Sequence, residues 1–442
     1  MNKQTIVLYL FLSCCTTSSV AQYLVIQGKV QDGQKNPLPY TSIGIVGKSQ
    51  GTSSNADGEF ELKIAPSFIK DTLSFSYIGY ASHKVVIADI DTSKAFIVTL
   101  LADTVLLDEV LVASIPAVEL VKKAIQLVPQ NYSALPTYLN TFYREYLHYK
   151  LDFETDKIDT QNRLREALLK IYKQPYDKDV KKRAKEEDLI KLIKWREIGE
   201  IKDTNVSKLS GSGANNLLQN DFAKNPEIFI DKNINKYDFN YHSITTYNGR
   251  KTIVIHFDQN EKAKKLLFEG EIMIDDSSYA IAGIRYKLSE KGSKKYDISR
   301  TILFIDASIS SYSCEINYQY WNNTWHLQRV TSNYVGNILI RKTWLSKMIM
   351  KDAFEEGKDE LFTQLNGYGE MITTSIETEN VTPFPKEEIF KRKSKADYQG
   401  TQLEQKDENY IKMPAFMRKR LEKEIQKEIE KEEKKQEQEI EG

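Results

Sequence analysis

Apolar residues between positions 24 and 100 come in short alternating runs. Phe60, Leu62 and Ile64 alternate with Glu61 and Lys63, so one face of that segment is buried and the other wet. Similar runs occur at Val25–Val30, Tyr40–Val46, Thr72–Tyr77, Lys84–Ile87 and Phe96–Leu100. Between them stand Asp32-Gly33, Asn36-Pro37, Gly51, Asp57-Gly58 and Gly79. Turn signals recurring about every 10 residues predict a β-sandwich over 24–112.

The period changes at Pro116. Val118, Val121, Ile125 and Val128 share a helical stripe that Pro129 stops. Leu164, Leu168 and Ile171 form a second helical stripe, and Leu189, Ile193 and Trp195 a third. Residues 113–236 therefore read as a helical connector. From Tyr237 the alternation returns. Ile253, Ile255 and Phe257 lie on one face, Ile272 and Ile274 follow, and Tyr312 to Tyr320 repeat the pattern. This predicts an antiparallel half-barrel over 237–345. Residues 346–412 read as irregular. Residues 413–442 read as a charged helical or disordered tail, whose stripe of Leu421, Ile425 and Ile429 is too short for several heptads. The fold class is mainly β: a sandwich, then helices packed on an antiparallel sheet.

The N-terminus adds a location. Lys3, the apolar run Ile6–Leu12 and Ser19-Val20-Ala21 before Gln22 form a signal peptide over 1–21. The run is far below the ~18–20 residues needed to span a bilayer. Cys14 and Cys15 offer the alternative of a lipidated N-terminus. The expected place is the periplasm or the periphery of the outer membrane, with no transmembrane span. Lys+Arg and Asp+Glu number 62 each, which argues against nucleic acid as a partner. Cys314 is the one cysteine after the leader, so no intrachain disulfide is expected.

The stretches QGKVQDGQKNPLPYTSIGIVGKSQGTSSNADGEFELKI, DTLSFSYIGYASHKVVI and LLDEVLV resemble the carboxypeptidase-regulatory-like domain of Bacteroidetes envelope proteins. The same module caps TonB-dependent transporters, but no plug motif or long barrel follows here. Instead AVELVKKAIQLVPQNYSALPTYLNTFYREYL, ALLKIYKQPY and FEGEIMIDDSSYAIAGIRYKL are similar to a domain of unknown function paired with this cap. That domain resembles the open half-barrel of periplasmic lipoprotein carriers. The resemblance implies an envelope protein without the zinc centre of a carboxypeptidase.

The residues support the same expectation. No two of His83, His148, His242, His256 and His326 stand at i, i+4, the spacing of a helical zinc site. Ser53-x-Asn55-x-Asp57-Gly58 starts like a calcium loop, but position twelve is Ile64, where a bidentate Glu is required. A hairpin turn explains it better. Asp275 and Asp276 point to opposite faces of a strand and cannot flank one substrate. Cys314 sits mid-strand as a core thiol. No cofactor is expected. Tyr318, Tyr320, Trp321 and Trp325 are either strand core or a surface that stacks sugars or lines a lipid groove.

The function expected is that of a non-catalytic accessory or binding protein of the envelope. Its partners would be outer-membrane proteins or an amphiphilic ligand. The alternatives are a carrier of a lipid or other amphiphile and a hydrolase of unknown type. For a carrier, Ile253, Ile255, Phe257, Ile272, Ile274, Tyr318 and Tyr320 would line the cavity. The helices carrying Leu164, Leu168, Ile171, Leu189 and Ile193 would cover it fully or in part.

Overall fold

The computed structural model describes residues 23–106, 115–152, 158–199, 213–295, 299–302, 305–343, 348, 360–390, 401–405, 407, 409–422 and 426. The expected leader at 1–21, with Cys14 and Cys15, and Ile425 and Ile429 lie outside the described residues.

The first unit is a sandwich of seven short strands: β1 (Leu24–Gln31), β2 (Ser42–Ile45), β3 (Gly51–Ser53), β4 (Glu59–Ile64), β5 (Thr72–Ser76), β6 (His83–Val86) and β7 (Phe96–Thr99). One sheet has the order β4-β1-β7 and the other β3-β2-β5-β6. Each sheet contributes its inward residues to one core, including Ile26, Val30, Phe60 and Leu62 from one and Ile43, Leu73 and Phe75 from the other. Phe60 and Phe75 meet edge to face at 5.4 Å. Gly58 sits at φ +74 in the turn that leads from β3 to β4 in the opposite sheet, where an added Cβ would lie 2.5 Å from the Val30 carbonyl. Only glycine fits both constraints.

The rest of the chain builds one large open sheet. Its strands are β8 (Thr104–Leu106), β9 (Thr137–Asp152), β10 (Ile158–Lys173), β11 (Leu189–Ile198), β12 (Tyr237–Tyr247), β13 (Arg250–Gln259), β14 (Phe268–Asp275), β15 (Ile281–Leu288), β16 (Ser299–Ile302), β17 (Ile305–Trp321), β18 (Thr324–Arg341), β19 (Glu360–Glu377) and β20 (Thr401–Gln402). The order is β20-β11-β10-β9-β19-β18-β17-β15-β14-β13-β12-β8, with β16 beside β17. Neighbours are antiparallel except β11 and β20.

Three expectations are corrected here. The connector over 113–236 is not helical throughout: it holds the helix α1 (Ala117–Gln126) and the short α2 (Ala214–Gln219), but also the long strands β9, β10 and β11. The sheet is not confined to 237–345, because those strands, β8, β19 and β20 belong to it. The stretch 346–412 contains β19, which pairs with β18 and β9 in the middle of the sheet. The physical reason is visible on β10. Ala167, Leu169 and Ile171 are buried on the front, while Leu164 and Leu168 pack on the back. A strand covered on both faces loses its alternation and can imitate a helical stripe.

Both coverings come from the chain itself. The front carries α1, residues 128–132 and the segment 214–236. The back carries the C-terminal stretch, with Leu403, Tyr410, Ile411, Met413, Met417 and Leu421 buried against β9, β10 and β19. The sandwich sits beside that stretch. Tyr40 lies with its ring 3.7 Å from the Arg329 guanidinium. Asp57 accepts a hydrogen bond from the Ala415 N–H at 2.6 Å, at the start of α3 (Ala415–Arg420). The stretch that imitated a calcium loop is a tight turn carrying the chain from one sheet to the other, not a hairpin between paired strands: Asn55 accepts from the Asp57 and Glu59 N–H groups, and its tip caps another segment of the chain.

Candidate functional site

Register places ten apolar residues in a single row across the front face. The row runs Tyr241, Ile255, Ile272, Ile284, Ile316, Val330, Met371, Tyr143, Ala167 and Trp195. Every member belongs to, or packs on, the largest core cluster. The facing side chains are Leu120, Val121 and Ala124 of α1 and Leu217, Leu218, Phe222 and Phe229 of the 214–236 segment. Phe229 meets Phe257 edge to face at 4.8 Å.

Ile255, Phe257, Ile272, Ile274 and Tyr318, expected to line a cavity, are fully buried under this cover. Ile253 packs against it, and Tyr320 is exposed at the rim. Tyr320 is among the residues that line the junction cleft described below. The filling elements are α1 and 214–236, not the stretches around Leu164, Leu168, Ile171, Leu189 and Ile193, which are strands.

The 214–236 segment is held by a buried polar cluster that the sequence did not reveal. Asp221 accepts from Tyr318 Oη at 2.7 Å and Tyr176 Oη at 2.6 Å, and pairs with Lys173 at 2.6 Å. Lys173 also pairs with Asp188 at 2.7 Å, and Lys224 with Asp188 at 2.8 Å. Burial alone would raise the Asp221 carboxyl, yet the Lys173 ammonium and the hydrogen bonds hold it below its ordinary value. Burial, followed by the neighbouring Lys173 charge, pushes Lys224 down. Arg183 completes the anchor by donating to the Ala223 carbonyl at 2.9 Å. These residues come from four separate stretches of chain, so no local motif announces them.

A second network fixes the back. Arg144 pairs with Glu166 at 2.7 Å and Glu370 at 2.6 Å and donates to the Ile411 carbonyl. Arg196 shares Glu166 and donates to Tyr410 Oη.

A wide open space lies elsewhere. A cleft of about 940 Å³ lies where the sandwich meets one end of the large sheet. The sandwich side is the β2–β3 loop with Lys48, and the sheet side includes Asn248, Gln319 to Asn323 and Glu377 to Glu379. Asn248-Gly249 and Asn322-Asn323 occupy the centres of two-residue hairpin loops, all four at positive φ. This is the primed turn geometry that Asn and Gly favour. Arg250 ties the hairpins together: it holds Asp275 through two hydrogen bonds of 2.7 and 2.9 Å and lies 4.2 Å from the Tyr320 ring centre. Burial raises the Asp275 carboxyl, but the bonds from Arg250, Ser277 and Ser278 outweigh it and hold the group down to about 2. Asp276 pairs instead with Lys251, so the two carboxylates do not converge.

The other candidates for chemistry are spread out. Cys314 is buried, and burial pushes its thiol up to about 12, which leaves almost no thiolate near neutrality. His326 is buried beside Trp321 and bonded to Thr324; burial lowers it to about 4. Among the described residues no group of three or more His, Cys, Asp or Glu is placed to hold a metal ion. No helix among them is long and apolar enough to cross a membrane.

Comparison with known proteins places the N-terminal unit. Residues 26–112 match the CarboxypepD_reg-like domain family, so the chain begins with a module of that class. No match was found among curated proteins. Three solved structures resemble the chain at low similarity. One is an outer membrane lipoprotein-sorting protein domain from Vibrio parahaemolyticus, with 11% identity, TM-score 0.22, and 60% of this chain and 94% of that one covered. Another is a LolA superfamily protein from Nitrosomonas europaea, with 8% identity, TM-score 0.19, and coverages of 63% and 99%. The third is a DUF1329 family protein from Desulfovibrio piger, with 10% identity, TM-score 0.20, and coverages of 60% and 93%.

Proposed function

We propose that this chain is a non-catalytic binding protein of the cell envelope, with its recognition surface at the junction of the sandwich and the large sheet. The observation behind this reading is the distribution of space. The apolar front of the sheet is covered by α1 and 214–236, which leave only a small pocket of about 50 Å³ beside Tyr143, Ala167 and Trp195 among the pockets described, while the open cleft of about 940 Å³ lies between the two units. Ligand sites are typically clefts of roughly 300–1,000 Å³. The envelope location rests on the leader at 1–21.

A carrier of an amphiphile is the second reading, favoured by the unbroken ten-residue apolar row. It requires the 214–236 segment to leave its seat. The test is a titration of the purified protein with dansyl-labelled undecanoic acid. The expected result is no saturable rise in fluorescence across the micromolar range. Saturable uptake, competed by unlabelled fatty acid, would replace this reading with the carrier.

A further inference from the structure

We propose that the junction cleft binds an uncharged oligosaccharide. This rests on the reading of the cleft as the recognition surface, and it names the ligand class. The first observation is the kind of polar group presented. Asn248, Gln319, Asn322 and Asn323 line one wall. A carboxamide offers a donor and an acceptor side by side, which matches two neighbouring hydroxyls on a sugar ring. Three of these amides sit at positive φ in the two hairpin loops, so the backbone that carries them is set before a ligand arrives.

The second observation is the aromatic pair at the same hairpin. Tyr320 is exposed and Trp321 half-buried, and both line the cleft. An aromatic ring packs against the C–H face of a pyranose while the hydroxyls at its rim reach the amides.

Charge excludes the main competitors. Lys48 and Lys84 stand apart on the sandwich side, and Glu379 and Glu377, the latter paired with Lys170 at 2.8 Å, stand on the sheet side, so the cleft presents both signs and not the arginine cluster that suits a phosphate. β2, β17, β18 and β19 are interior strands of their sheets, with Gln319, Tyr320 and Trp321 paired to β18 and Ile376 and Glu377 to β9.

The experiment uses the full chain with three uncharged tetrasaccharides, maltotetraose, cellotetraose and chitotetraose, followed by calorimetry and saturation-transfer NMR. At least one should bind saturably below roughly 10 mM. Trp321→Ala and Asn323→Gly should each weaken that binding about tenfold or more. Asn323→Gly keeps a residue that tolerates positive φ, so its loss of binding reports the amide and not the turn. No binding of any of the three, or binding that both variants leave unchanged, overturns the glycan assignment. The fatty-acid titration fails separately. Probe uptake with sugar binding intact would sink only the closed front face, and an absence of both would sink only the glycan.

Discussion

Replacing Asp221 by Ala should loosen the cover of the front face. Asp221 is completely buried and accepts from Tyr176 and Tyr318 while neutralising Lys173. Its removal leaves Lys173 and Lys224 to share Asp188 alone. The Tyr176 hydroxyl loses the one acceptor described for it, and Tyr318 keeps only the Ala223 N–H that donates to it. Breaking a buried ion pair costs about 3–5 kcal/mol, and each orphaned buried hydroxyl about 1–3 kcal/mol. These costs overlap, so we expect a net loss of about 4 kcal/mol, a large share of a total near 5–15 kcal/mol. Part of the strain is relieved if 214–236 leaves its seat, because Lys224 departs with it. The assays are urea unfolding and native-state hydrogen exchange. Amides in 214–219 and at Lys224 and Asn225 should lose protection before those in the centre of β17. The dansyl probe should then bind the variant, since Ile255, Ile272, Ile316 and Val330 would be uncovered. A stability change under about 1 kcal/mol, with exchange in 214–225 unaltered, would refute the anchoring role.

Arg144→Ala should cost about 3–5 kcal/mol in chemical denaturation, because Glu166 and Glu370 lose a shared buried partner; a loss near zero would sink that network. His326 has a folded value of about 4 against an ordinary 6.5, so its contribution is fully present above pH 6.5 and is lost as pH falls to about 4. That difference corresponds to roughly 3 kcal/mol, and His326→Gln should flatten the stability profile between those values; a profile of unchanged slope would remove the assignment. Asp275 acts lower on the scale. Its folded value of about 2 against 3.8 keeps a contribution of roughly 2 kcal/mol above pH 3.8 that is lost as pH falls to about 2, and Asp275→Asn should remove that acid limb in thermal melts. Residues 23–102, which hold a core of their own, should unfold cooperatively as an isolated fragment; a featureless melt would show that the C-terminal stretch gripped by Asp57 and Glu59 is needed.

The residues alone determined the sandwich, because its strands are short, wet on one face and joined by turns that need particular residues. Phe60, Leu62 and Ile64 alternate as a half-buried strand must, and Asp57-Gly58 marks the turn before it. The apolar alternation in β13, β14 and β17 was legible too, as was the turn at Asn322-Asn323. Only the tertiary structure decided the rest. β9, β10 and β19 lie in the middle of the sheet with side chains buried on both faces, and double burial erases the period of two on which reading depends. The expected lining residues were recognisably apolar, but whether they faced a cavity depended on where 214–236 came to rest. That position is set by Asp221, Lys173, Asp188 and Lys224, from three separate stretches of the sequence. The junction cleft likewise combines the β2–β3 loop with hairpins some 200 to 280 positions further along. Sequence neighbours carry local propensity, whereas ion pairs and clefts are made by residues that only folding brings together.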